Sequence, residues 1–394
     1  MPKASLDRTV LLPELRLLKV KASTMRGLLM WTEKTSEFEV CPRCALPSRS
    51  VYDRRSVLLR DQPLRGRQVL MWVRKRRFSC RHCRRPFTEP VPGVRKGYRT
   101  TQRYRKALLW ACEHFSDLKR VRGCYRCSAG LLYRVLYEQL ELKRRTRLYP
   151  WPTKVGIDEH FFKRDKYSDR RSFVTMVVDQ KNRRVMEVVD GKETAVLNAS
   201  LAYIPGRENV RWVALDLADS YRSFARSFFP NARLVADKFH VLRLVNPAIN
   251  RYLREVVTTR EAQPLRNMLR RDRRRLKPWW RSRLDRWLKQ HPALHELYQL
   301  KEALSHFYRI RGLKRAQRVL TKLTDTMALS RLPEVQTLRR TLMRWRQEVL
   351  AYFVCRLTNA RTEGYNAKAK LVKRRGYGYR SFVNYRLRLL SACC

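Results

Sequence analysis

The chain has 394 residues, 44% of them hydrophobic, and carries 89 Lys and Arg against 34 Asp and Glu, for a formal charge of +55. That length and apolar content fit two or three folded domains and exclude a disordered chain. So large a positive charge excludes a protein that works without a polyanionic partner. The cations run through nearly every segment and interleave with Trp and Tyr, so the expected partner is nucleic acid, which the helix-turn-helix reading below narrows to double-stranded DNA. A membrane surface would call for a local polybasic patch beside an amphipathic or lipidated segment.

No run approaches the roughly eighteen apolar residues of a spanning helix, and charges interrupt residues 1–20 where a signal peptide stays apolar. A cytoplasmic protein with no membrane partner is expected. In that reducing compartment the ten cysteines point to metal ligation at CxxC spacings and not to disulfides.

In chain order, residues 13–40 read as short strands. Cys41-Pro-Arg-Cys44 and Cys80-Arg-His-Cys83 are two knuckles that can set four thiolates tetrahedrally around one structural Zn²⁺. The bland alternative is four reduced core cysteines, and His82 is either a substitute ligand or a bystander. Between the knuckles, Gln68–Phe78 reads as a strand whose Arg74, Lys75 and Arg76 are candidate DNA contacts. Residues 1–95 are assigned to a strand-rich zinc-ribbon domain.

Residues 96–148 follow as a helix-turn-helix domain. A helical pattern runs from about Thr101 to Leu142, with RYRKALLWACEHF as one amphipathic helix and SAGLLYRVLYEQL as the next, capped by Ser128. In so basic a setting the second helix, with Arg134, is expected in a DNA major groove; a helical hairpin acting as a spacer is the competing reading. Cys124 and Cys127 lie in the connection and read as packing, with metal a minor option.

From Pro150 the pattern turns to strands. VGIDEHFF, SFVTMVVD and RVMEVVD predict an antiparallel meander. A helix over Glu193–Tyr203, a strand over Val210–Leu215, a helix over Tyr221–Phe228 and a strand over Arg233–Ala236 follow. Three hairpin-linked strands and then α-β-α-β is the order of an RNase H-like α/β fold. Residues 149–240 would form the first part of that catalytic core, 241–354 a basic α-helical insertion, and 355–394 the last helix and tail. Trp279, Trp280 and Trp287 in the insertion are either helix packing or a platform for unpaired bases.

Three acidic residues stand out. Asp158 lies on the first predicted strand and Asp216 at the end of the fourth, which neighbour each other in such a sheet. Glu363 opens a helix from about Asn359 to Gly376, where Glu363, Asn366 and Lys370 share a face. In-line displacement at phosphorus needs an attacking and a leaving oxygen stabilised together, and two Mg²⁺ (or Mn²⁺) ions held by carboxylates do both. Alternation turns Glu159 away from Asp158, and Asp219 reads as an N-cap. Arg374 and Arg375 are candidate backbone contacts.

GIDE, ALDLADSYRSFARSFFPNARLVADKFHV and TNARTEGYNAKAKLVKRRGYGYRSFVNYRLRLL resemble the DDE transposases of the ISL-type bacterial insertion sequences, and the cysteine ribbon is similar to that family's zinc finger. The resemblance implies a transposase that binds terminal inverted repeats, exposes 3′-hydroxyls and joins them to target DNA, working as a homodimer or higher assembly on DNA. Its catalytic triad would be Asp158, Asp216 and Glu363. Asp237 and His240 match a D-x-x-H element, in which His240 positions a phosphate, supports Asp216, or is a purely structural residue at the opening of a helix. The cysteines at 124 and 127 depart from the family pattern. Two other functions compete: an RNase H-like nuclease or resolvase that does not rejoin ends, and a non-catalytic zinc-ribbon and helix-turn-helix regulator.

Overall fold

A computed structural model describes residues 11–23, 27–115, 117–164, 171–256 and 262–393. The chain divides into two units, one reaching Thr146 and including Arg375–Gly378, the other comprising Arg147–Arg374 and the residues from Tyr379 on.

In the first unit, β1 (Leu15–Ser23), β2 (Gly27–Lys34), β3 (Glu39–Val40), β4 (Pro47–Ser48), β5 (Val51–Leu64), β6 (Arg67–Ser79) and β7 (Pro86–Thr88) follow one another. The main sheet runs β1-β2-β6-β5, with β7 added to the end of β6. Alternation along β6 buries Val69, Met71 and Val73 against Met30, Leu59 and Leu15, as a sheet wetted on one face requires. β2 runs parallel to β6. At its start Gly27 (φ +80°) lies so close that a Cβ would fall 2.3 Å from the Gln68 carbonyl oxygen.

Three helices follow: α1 (Gln102–His114), α2 (Leu118–Cys124) and α3 (Ala129–Thr146). Thr101 caps α1 by accepting from the Tyr104 N–H, and the Ser128 hydroxyl accepts from Leu131 N at the start of α3. The two expected helices are thus present, with α2 between them as an addition. Asp117 caps it, accepting from Lys119 N at 2.8 Å, and Arg126 (φ +44°) turns the chain after it. Cys124 therefore ends a helix and is exposed, Cys127 is buried, and no metal-holding group among the described residues includes either.

The second unit is built on β8 (Lys154–Arg164), β9 (Arg171–Asp179), β10 (Arg184–Asp190), β11 (Trp212–Leu215) and β12 (Arg233–Ala236), with α4 (Thr194–Leu201) and α5 (Asp219–Phe228) between them. The sheet order is β10-β9-β8-β11-β12. The first three strands are antiparallel, whereas β11 lies parallel to both β8 and β12. The chain after Ala236 is helical: α6 (Lys238–Arg243), α7 (Asn246–Val256), α8 (Ala262–Arg270), α9 (Pro278–Lys289), α10 (Pro292–Phe307), α11 (Leu313–Ala328), α12 (Pro333–Arg344) and α13 (Arg346–Cys355). Then come α14 (Ala360–Arg375) and α15 (Phe382–Cys393).

Strand alternation sorts the sheet's two faces. Val155, Ile157 and Val177 join a core with α4, α5 and the helices after β12. Phe162, Met176 and Val178 pack instead with Ala369 of α14 and Tyr385 and Leu389 of α15. Asp158, two residues from Gly156 and four from Phe162, lies in register with the α14 face. Trp280 and Trp287 pack partly on the larger core, and Trp279 stands exposed, stacked on Trp280 at 4.0 Å. Among the described residues no helix is long and apolar enough to cross a membrane.

Candidate active site and metal centre

The four cysteines of the first unit come together. One sulfur each of Cys41, Cys44, Cys80 and Cys83 lies within 4.8 Å of the others, and Cys44 and Cys80 are 3.6 Å apart. Each knuckle is the turn of a hairpin, β3 to β4 in the first and β6 to β7 in the second, and the two repeat the same geometry. Cys41 N donates to Leu46 O as Cys80 N donates to Arg85 O, and the residue after each second cysteine, Ala45 (φ +59°) and Arg84 (φ +51°), is left-handed. Side chains other than Gly resist that region, so the same strain at both turns marks a shape demanded by the sulfurs. Backbone N–H groups of Cys44 and Arg43 lower the Cys41 thiol to about 7, while Cys44, foremost, pushes Cys83 up to about 12. Four thiols this close ionise together only around a cation. His82 is exposed and outside the cluster.

In the second unit β11 pairs with β8 through Ala214 and Gly156, so Asp216, just beyond β11, is carried toward Asp158. One ligand atom each of Asp158, Asp216 and His240 lies within 4.8 Å of the others. Asp158 is only 5% exposed. Its Oδ1 accepts from the Glu159 N–H at 2.8 Å, and its Oδ2 from the Asn366 amide at 2.8 Å. Burial first, and then the Asp216 carboxylate, push the Asp158 pKa up to about 8. His240 Nδ1 stands 3.0 Å from Asp216 Oδ1 and 3.1 Å from Asp237 Oδ2. Burial alone would lower this histidine, but bonds to Asp216 and Asp237 outweigh it and hold it at about 10. The imidazolium therefore offsets part of the charge of the carboxylate pair.

Oxygen donors dominate this cluster, and Asn366 Oδ1 is a further buried oxygen beside Asp158 with no hydrogen-bond partner. Such a donor set fits a hard divalent cation. Glu363 stands one turn before Asn366 on α14, outside the group of three, with its carboxylate 3.2 Å from Arg243 of α6. Lys370 is exposed, and its charge, with that of Lys373, adds to burial in lowering His160 to about 4. His160, two residues beyond Asp158, is thus a neutral ring bonded to the Tyr385 hydroxyl at 2.5 Å.

A buried polar strap sets α14 against the sheet. Asn359, just ahead of α14, donates from its backbone to Asp237 Oδ1 at 3.0 Å and from its amide to Ile157 O at 2.8 Å. Gln180 donates to Thr362 at 2.8 Å, and Thr362 to Asn359 Oδ1 at 3.3 Å. Asp237, fully buried, is therefore a brace between β12, His240 and α14. Gly156 leaves room for the strap: a Cβ there would fall 2.1 Å from Gln180 Nε2 and 2.7 Å from Asn359 Oδ1. Gly156→Ala should destabilise the protein by about 1–3 kcal/mol, the range for overpacking a core. Urea denaturation checks this, and an unchanged midpoint would mean the strap yields freely.

Not every other side chain falls as expected. Asp219 does not cap α5; Ala218 holds that position without a side-chain bond, and Asp219, in the first turn, pairs with Arg344 at 2.7 Å. Glu159 points away from Asp158, 3.7 Å from Lys192. Arg76, a candidate DNA contact, is committed internally to buried Glu89 at 2.9 Å and to Ser36 O at 2.7 Å. Lys75 is half-buried with its pKa lowered by burial, whereas Arg74, Arg134, Arg374 and Arg375 are exposed.

Residues 155–389 match the family model of DDE transposases of the ISL3 group, described as a transposase. Residues 37–83, which enclose all four clustered cysteines, match the zinc-finger of transposases IS204, IS1001, IS1096 and IS1165. The chain is 23% identical over 388 residues to the transposase for insertion sequence element IS1001 of Bordetella parapertussis, covering 93% of this chain and 92% of that protein. It is 24% identical over 377 residues to the transposase for insertion sequence element IS1557 of Mycobacterium tuberculosis, covering 86% and 82%. Since the transposase model spans more than half of its length, this chain belongs to the ISL3 family of insertion-sequence transposases.

Proposed function

We propose that the chain binds the terminal inverted repeats of its element, cleaves DNA there and joins the exposed 3′ ends to target DNA. Asp158, Asp216 and Glu363 would form the catalytic triad of an RNase H-like domain interrupted by the helices of residues 241–354. The observation that carries this is the meeting of Asp158 and Asp216 from neighbouring parallel strands, with α14 tied to the same point through Asn366 and Asp158. The strand order β10-β9-β8-β11-β12 supports the fold reading.

The three carboxylates would hold two divalent ions, Mg²⁺ or Mn²⁺. Such ions supply Lewis-acid stabilisation to both the attacking and the leaving oxygen of an in-line displacement. The protein's own groups would do the rest. Asn366 and the Glu159 N–H fix the Asp158 carboxylate so that it need not reorganise during the reaction. Asp237 orients His240, whose charge lies where a scissile phosphate would sit beside Asp216. Arg243 is placed to exchange the Glu363 carboxylate for a DNA phosphate. Arg74, Arg134, Lys370, Arg374 and Arg375 offer cations to the backbone, and the cysteine cluster would hold one structural Zn²⁺. Two ends must be brought together, so a dimer or higher assembly on DNA would be the working form.

Glu363→Gln tests this directly. The variant should bind element ends as the wild type does, yet lose Mg²⁺-dependent nicking and strand transfer in a gel assay on those ends. Normal cleavage by the variant would remove Glu363 from the triad. Cleavage by the wild type without any joined product would favour a nuclease.

A further inference from the structure

The end of α14 and the residues after it read Lys373-Arg374-Arg375-Gly376-Tyr377-Gly378-Tyr379-Arg380, and the two tyrosines go opposite ways. Tyr379 is half-buried against Tyr385, ring centroids 5.4 Å apart, in the apolar cluster of α14 and α15. Tyr377 is 100% exposed. Its φ of +50° lies in the left-handed region, and Gly378 follows at +92°. An L-residue with a large side chain enters that region only against steric resistance, and a water-exposed ring does not supply the compensation. Tyr379 anchors the segment while Tyr377 is presented outward.

The surroundings define what such a ring can meet. Arg374, Arg375 and Arg380 are exposed, and no acidic residue follows Glu363 in the chain. An aromatic face among exposed cations suits a partner that is flat, apolar on its faces and negatively charged at its rim, which is a nucleotide. A paired base inside a duplex has both faces covered by its neighbours, so only an unpaired or terminal base can offer one.

We propose that Tyr377 stacks on an unpaired DNA base, while Arg374, Arg375 and Arg380 hold the neighbouring phosphates. This rests on the DNA-processing function proposed above and adds a strand-separated end as what the protein recognises.

The experiment compares binding of the full-length protein, by fluorescence anisotropy, to a blunt DNA duplex and to the same duplex with a short 3′ single-stranded tail. Tyr377→Ala should weaken binding to the tailed probe about tenfold, the scale of one lost base–aromatic stack, and leave blunt-duplex binding unchanged. Tyr377→Phe should retain tailed binding, since the ring and not the hydroxyl acts, and this variant also controls for folding. Arg374→Ala should weaken both probes and flatten the salt dependence. Unchanged tailed binding by Tyr377→Ala, equal loss on both probes, or failure of Tyr377→Phe to bind the tail overturns the stack. Wild-type protein that binds neither probe refutes the DNA reading itself.

Discussion

Replacing Asp158 with Asn should lower metal-dependent cleavage of element ends by about three orders of magnitude, and should make the metal-free protein more resistant to heat above neutral pH. On the proposed reading the first effect follows from losing a central carboxylate ligand, where ionic stabilisation of the transition state is worth several kcal/mol and each ~1.4 kcal/mol is tenfold in rate. The second follows from burial. The Asp158 carboxyl holds its proton up to about 8 in the folded protein against 3.8 ordinarily. The folded state therefore keeps a proton that the unfolded chain has already released, and stability falls as pH rises between those values. His240 runs the same way. Held at about 10 against 6.5 ordinarily, it contributes fully below its unfolded value and is lost as pH rises through the folded one. Thermal melts in the presence of a chelator should thus give a lower Tm in mildly alkaline than in mildly acidic buffer, and Asp158→Asn should flatten the lower part of that slope. Saturating Mn²⁺ at mildly alkaline pH should raise the Tm of the wild type and not of the variant. An equal metal shift in both would place the ion elsewhere.

Replacing Cys41 and Cys44 together with Ser should release one zinc per chain and collapse the ribbon. Structural zinc sites contribute on the order of 10 kcal/mol or more. β3 and β4 are two residues each, too short to persist alone. The sheet formed by β1, β2, β5 and β6 has its own apolar core around Met71 and Leu59, so the loss should stay local. Metal analysis of the purified protein and hydrogen exchange over residues 37–50 and 80–88 would show it, together with weaker binding to element ends. Unchanged zinc content would dismiss the cysteine cluster as a metal site.

What could be read in advance follows from how each feature is written in the chain. Asp158 and Asp216 are legible because each interrupts or ends an apolar strand in a basic protein, and the strand order sets them side by side. The cysteines are legible from spacing alone. The strap is not: Asn359, Thr362 and Gln180 are polar residues in segments that look solvated, and their burial depends on which elements meet. The absent side chain at Gly156 was the one available hint. Helix α2 is faint in the sequence because it is short and contains Gly123, although Asp117 ahead of it is a usable cap signal. The engagement of Arg76 with Glu89, and of Glu363 with Arg243, joins residues from different elements, and nothing in either local sequence announces it.

The bond between Asp237 and Asn359 has a consequence for how such a chain can vary. The polypeptide departs from the sheet at Asp237 and comes back at Asn359, and the two residues touch at 3.0 Å. The long excursion between them therefore leaves and returns through a single point. Lengthening a loop whose ends are already together adds only about 0.6 kcal/mol per doubling in closure entropy, and the strands on either side need not move. Loops between the intervening helices can therefore lengthen at little cost, while the helices that share a core with the sheet hold their place and the carboxylates stay where they are.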